Sequence, residues 1–80
     1  MSVKEEIEGG SLVLLRKDYE ASCASLYKRG SHKNLVSGKI YPQEVCLVTD
    51  SFNKHRQVVT PHGEIGWVHV NLLEKIFSNT

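Results

Sequence analysis

The chain predicts a mainly β domain, a small barrel of about five strands, and three observations carry that expectation. From Glu44 onward, short runs rich in apolar and β-branched residues (EVCLVTD, RQVVT, IGWVHV) alternate with turn chemistry (SFNK, PHGE), which is the pattern of strands joined by hairpins. Residues 17–43 carry Gly30, Gly38 and Pro42 as breakers and show no clean period, so little helix is expected. At 80 residues there is room for one domain and a modest core, and four or five short strands at that length fit a barrel better than a sandwich.

Taken in order, residues 1–10 (MSVKEEIEGG) are acidic and polar, end on Gly9-Gly10, and read as a flexible lead-in to a domain spanning 11–77. Ser11 to Arg16 (SLVLLR) reads as a buried strand. The next segment is a long first loop. Within it Tyr19, Cys23, Leu26 and Tyr27 fall at i, i+4, i+7 and i+8, the spacing of one helical face with Gly30 as a stop. The same residues also fit two irregular arms of a long hairpin, and the strand alignment between 31 and 43 stays open.

The terminal stretch GEIGWVHVNLLEKI, residues 63–76, holds the single tryptophan. A turn centred on His62-Gly63 would pair Thr60 with Ile65, Val58 with Trp67 and Arg56 with His69. Side chains alternate faces along a strand, so Val59, Val68 and Val70 would line the inside. Val58, Ile65 and a half-exposed Trp67 would lie outside.

This stretch resembles the close of a Src-homology-3 (SH3) domain: Gly63, then Gly66-Trp67-Val68, then Asn71 in a short turn, then Leu73 and Ile76 in a last strand. LLRKDYEAS is similar to the segment that opens the family's long first loop, with Asp18-Tyr19-Glu20-Ala21 as the matching part. The resemblance implies an SH3-like barrel. It does not imply proline-motif binding, because the family's row of groove aromatics is represented only by Tyr19. Arg56 falls near the position of the groove tryptophan, and His69 and Leu72 replace the proline and tyrosine of the final turn. The glycine-led Gly10-Ser11-Leu12-Val13-Leu14 strand together with the GxxGWV hairpin also resembles short proteins of tailed bacteriophages, cyanophages among them. That resemblance implies a one-domain accessory protein in the host cytoplasm.

Composition bounds the function. Hydrophobic residues at 40% and charged residues at 24% are ordinary for a globular chain. No apolar run approaches the roughly 20 residues of a membrane span, and the polar N-terminus lacks the form of a secretory signal; both point to a cytoplasmic protein with no membrane partner. Cys23 and Cys46 are expected as reduced thiols. The net charge of +1 conceals a basic centre: residues 28–56 carry six Lys or Arg against Glu44 and Asp50, a local +4.

His55, His62 and His69 are seven apart, too widely spaced for a zinc motif with either cysteine. No nucleotide loop or placed nucleophile is present in the sequence, so neither an enzyme, a metal nor a cofactor is expected. A protein-interaction module is the leading expectation, with Trp67, Tyr19, Tyr27, Tyr41, Arg56 and His69 as candidate partner-binding residues. A nucleic-acid-binding barrel using the basic segment 28–56, and a self-associating homo-oligomer or virion component, are the alternatives.

Overall fold

The computed structural model describes residues 7–28 and 35–76. The strands are β1 (Leu12–Leu15), β2 (Ala24–Tyr27), β3 (Val36–Ile40), β4 (Cys46–Phe52), β5 (His55–Val59), β6 (Ile65–His69) and β7 (Leu73–Lys75), with a 3₁₀ turn at Val70–Leu72 between the last two. They form one sheet in the order β3-β2-β6-β5-β4-β1-β7. Every pairing is antiparallel.

The chain is therefore mainly β, as its patterning predicts, with seven strands rather than about five. The sheet is open: among the described residues no ladder joins the edge strands β3 and β7.

The two additional strands come from the long first loop: β2 from the part in which a helix competed with a hairpin, and β3 from the stretch 31–43 whose alignment was open. Ala24–Tyr27 is a strand with alternating burial: Ala24 and Leu26 point into the core, while Ser25 and Tyr27 are half-buried. The helical spacing of Tyr19, Cys23, Leu26 and Tyr27 is thus not realised. An isolated helix shorter than about a dozen residues is marginal, whereas strand alternation puts Leu26 at the centre of the core. Tyr19 packs on the core from the preceding loop, and its hydroxyl donates to the Cys23 carbonyl at 3.4 Å. The expected Gly30 stop lies outside the described residues, as do Arg29, His32 and Lys33 of the basic segment.

The core is built from Val13 and Leu15 of β1, Ala24 and Leu26 of β2, Ile40, Cys46, Val48, Val58, Val68 and Leu73, closed by Ile7. Ile7 belongs to the expected lead-in, yet it is buried. The Arg56 Nε donates to its carbonyl, and Gly10 N donates to the Val48 carbonyl at 2.7 Å. The packed region thus includes residues ahead of Ser11.

The β5–β6 hairpin differs from the expected register by one residue, for a local reason. Gly63 takes a positive φ of 93°, its N–H bonds the Thr60 carbonyl at 3.0 Å, and the Thr60 N–H bonds the Glu64 carbonyl at 2.8 Å. Pro61-His62-Gly63 is therefore a three-residue loop with glycine at the left-handed position. The observed partners are Val58 with Gly66, Gln57 with Trp67, Arg56 with Val68 and His55 with His69. A one-residue slip exchanges faces: Val58 joins Val68 in the core, while Val59 and Val70 are only half-buried.

Two glycines let the β2–β3 hairpin lie across the start of β6. A Cβ at Gly66 would meet the Cβ of Leu26 at 2.6 Å, the Tyr27 carbonyl at 3.3 Å and the Ser37 hydroxyl closer still. A Cβ at Gly38 would meet the Cβ of Glu64 at 2.8 Å. The Ser37 hydroxyl also donates to the Ile65 carbonyl at 2.8 Å, joining β3 to β6 where no ladder does.

Candidate interaction face

The side chains opposite to the core form the outer face of the sheet, and the registers place four of them in one row. Leu12 pairs with Leu47, Leu47 with Val59, and Val59 with Ile65. Directly opposed side chains in antiparallel strands sit about 5 Å apart at Cβ, so the row is continuous across β1, β4, β5 and β6. Leu12 is 47% exposed, Leu47 43% and Ile65 48%, with Val59 half-buried between them. Val45, two residues before Leu47, is also exposed. The run SLVLLR, expected as a buried strand, is thus split between the two faces, as is EVCLVTD.

Further along the same face the character turns aromatic and polar. Trp67 stands between Gln57 of β5 and Tyr27 of β2. Beyond it Phe52 pairs with His55, and His55 with His69. The two imidazoles meet edge to face, with centroids 5.2 Å apart. The Asn71 N–H donates to His69 Nδ1 at 3.0 Å, so His69 caps the 3₁₀ turn.

The candidate residues separate accordingly. Trp67, Tyr27 and His69 come together on the outer face. Trp67, however, is only 6% exposed instead of half-exposed, because it lies in the inner rows of the sheet with a strand on either side. Arg56 does not pair with His69. It lies opposite Val68, and its guanidinium donates to the carbonyls of Ile7, Asn53 and His55. It fastens the segment at Ile7 to the β4–β5 turn. Tyr19 is a packing residue, and the exposed Tyr41 sits at the end of β3, its ring 6.2 Å from that of His62. Leu12, Leu47, Ile65 and Phe52 were not among the candidates. The three-residue reading of Pro61-His62-Gly63 was the signal that would have moved Val58 inward and found the row.

His62 forms a second, polar cluster. Its Nδ1 is 3.0 Å from Glu44 Oε2 and its Nε2 is 3.1 Å from Glu64 Oε1. The other Glu44 oxygen accepts the Tyr41 N–H at 3.0 Å, and Glu64 Oε1 also accepts the Lys39 N–H at 2.8 Å. The hydrogen bond to Glu64 foremost, and the Glu44 and Glu64 charges, raise the His62 pKa above its ordinary value despite partial desolvation. The Lys39 amide foremost, then His62, lowers that of Glu64. Gln43 beside this cluster holds a positive φ of 71° in the Tyr41–Glu44 turn.

The two cysteines differ in their surroundings. Cys46 is fully buried, and burial, then the nearby Glu44 charge, pushes its thiol up to about 11, where the nucleophilic thiolate is scarce at neutral pH. Iodoacetamide should therefore alkylate the partly exposed Cys23 in the native protein and reach Cys46 only in denaturant; mass spectrometry of the two states checks this, and rapid native labelling of Cys46 would contradict it. Among the described residues no three His, Cys, Asp or Glu side chains are grouped so as to hold a metal ion, and His62 stands at a turn away from the His55–His69 pair. No helix among them is long and apolar enough to cross a membrane. No family model, curated protein or solved structure matches the chain.

Proposed function

We propose that the protein is a non-enzymatic interaction module, an open β-sheet of SH3-like character whose outer face docks another protein. The observation that carries the docking reading is the row Leu12–Leu47–Val59–Ile65, directly paired across four strands with three of its members about half exposed. Scattered exposed leucines are normal; a contiguous apolar row on a rigid sheet is the feature associated with partner surfaces. The barrel kinship draws support from the Gly66-Trp67 step, the 3₁₀ turn at Val70–Leu72 and the short closing strand β7. In that scheme β2 and β3 are the arms of the long first loop.

A proline-rich motif is not the proposed partner, because Tyr19, the one groove aromatic that the resemblance supplies, packs on the core and Arg56 stands near the place of the groove tryptophan. The phage-type resemblance of the terminal hairpin supports an accessory role for the module in a host cell. The nucleic-acid alternative is weakened by Arg56, whose guanidinium is already engaged by three carbonyls.

Leu47→Lys and Ile65→Lys test the reading. Both sites are exposed, so each variant should keep its stability to within about 0.5 kcal/mol while losing the proteins that the wild-type chain captures from the cells that make it. Unchanged capture by both variants would remove the row from the interface. An oligonucleotide shift that fades with salt would favour the nucleic-acid reading, and a concentration-dependent mass in light scattering abolished by Leu47→Lys would make the partner a second copy.

A further inference from the structure

The Glu44–His62–Glu64 cluster has a stoichiometry that the docking face does not need. Each imidazole nitrogen faces a carboxylate oxygen, at 3.0 Å and 3.1 Å. Ionised carboxylates only accept hydrogen bonds, and a neutral imidazole offers one donor and one acceptor. Both contacts can be hydrogen bonds together only when the ring carries two protons.

The two carboxylates come from different parts of the chain: Glu44 from the turn ahead of β4, and Glu64 from the β5–β6 turn. Each also holds a backbone N–H at the end of edge strand β3, that of Tyr41 and that of Lys39. The Lys39 amide faces Glu64 instead of another strand, so the side chain covers an edge position that could otherwise pair with a further strand.

We infer that His62 is a protonation-dependent tie. As imidazolium it binds the 41–44 turn and the end of β3 to the β5–β6 turn; as neutral imidazole it releases one carboxylate and loosens that corner of the sheet. The ring is 39% exposed, so solvent protons reach it directly. The charged and titratable groups facing it are Glu44 and Glu64, with Tyr41 beside the ring and Lys39 of β3 acting on Glu64.

The direction of the pH dependence follows from both partners. The folded pKa of His62 lies above the ordinary 6.5, so its contribution is complete below that value and is lost as pH rises through the raised one. The folded pKa of Glu64 lies below the ordinary 4.5, so its contribution is present above that value and is lost as pH falls through the lowered one. The tie is strongest in the mildly acidic window between the two and opens toward alkaline pH.

NMR titration of the full chain reads both ends of the device: the His62 ring signals, and the exchange protection of the Lys39 and Tyr41 amides. His62 is expected to titrate above 6.5. At least one of the two amides should lose protection a few-fold, beyond the intrinsic base-catalysed rise, over the same pH range. His62→Gln, which cannot titrate there, should abolish that step, and core amides such as Val58 should not show it. Glu64→Gln should lower the His62 titration toward the ordinary value. A His62 titrating at or below 6.5, or protection of both amides that stays flat through its titration, overturns the inference.

Discussion

Gly66→Ala is expected to destabilise the protein by about 2 kcal/mol or more, because overpacking a rigid site costs on that order. For a domain of this size that corresponds to a fall in Tm of about 10 °C. The new methyl would lie 2.6 Å from the Cβ of Leu26, which is completely buried, and 3.3 Å from the Tyr27 carbonyl. Neither atom is the end of a flexible side chain. Relief requires β2 to move off β6, and β2 meets β6 at a single pair, Tyr27 with Trp67. Gly9→Ala is the matched control: its added methyl would have only the Thr49 carbonyl within reach, at 3.9 Å, and the expected change is within about 0.5 kcal/mol. Thermal melts followed by far-UV circular dichroism compare the two. Equal melting temperatures would mean that the crossing of the β2–β3 hairpin over Gly66 is not as tight as described.

The legible part of the fold was the part in which local chemistry and tertiary packing agree. From Glu44 to Ile76 the alternation of β-branched runs with Asn, Pro and Gly turns located β4, β5, β6 and β7, and Gly66-Trp67 marked the last hairpin. The one-residue error there is instructive. Both a two-residue and a three-residue loop fit the letters Pro-His-Gly, and the choice rests on the φ of Gly63, which composition does not reveal. Because pleat alternation has period two, that one conformational choice decides which of Val58 and Val59 enters the core, and with it whether a valine stands directly beside Ile65 on the outer face.

The β2–β3 hairpin was illegible for a different reason. Its strands are short, ASLY and VSGKI, and the arrangement that stabilises them lies far away in sequence, in Glu64, Ile65 and Gly66. The side-chain bonds that fasten β3 to residues 64–65 replace a backbone ladder, and no periodicity reports them. The same holds for the polar cluster: Glu44 and His62 are 18 residues apart and nothing in their neighbours announces the contact. The candidate aromatics suffered from an opposite bias. Tyr19, Tyr27 and Trp67 stood out by residue type, yet type alone does not separate an aromatic that packs from one that waits for a partner. Exposed leucines on an alternating strand are visible only once the register is known.

Trp67→Ala makes that distinction measurable and should have the larger effect, a loss of about 3–5 kcal/mol. The indole is 6% exposed and stands between Gln57 and Tyr27 on the face opposite the main core. Its removal would leave a cavity there and weaken the Tyr27–Trp67 pair, the one register pair that joins β2 to β6 among the described residues. Small domains have total stabilities of about 5–15 kcal/mol, so the variant should unfold at much lower urea and be partly unfolded near body temperature. Trp67→Phe, which keeps an aromatic ring across from Tyr27, should recover part of the loss. Partner capture should then decline in step with the folded fraction and return when the variant is assayed cold, where it is folded. A Trp67→Ala chain with the wild-type urea midpoint that nonetheless fails to bind would place the tryptophan in the interface after all, and the row from Leu12 to Ile65 would become its flank instead of its centre.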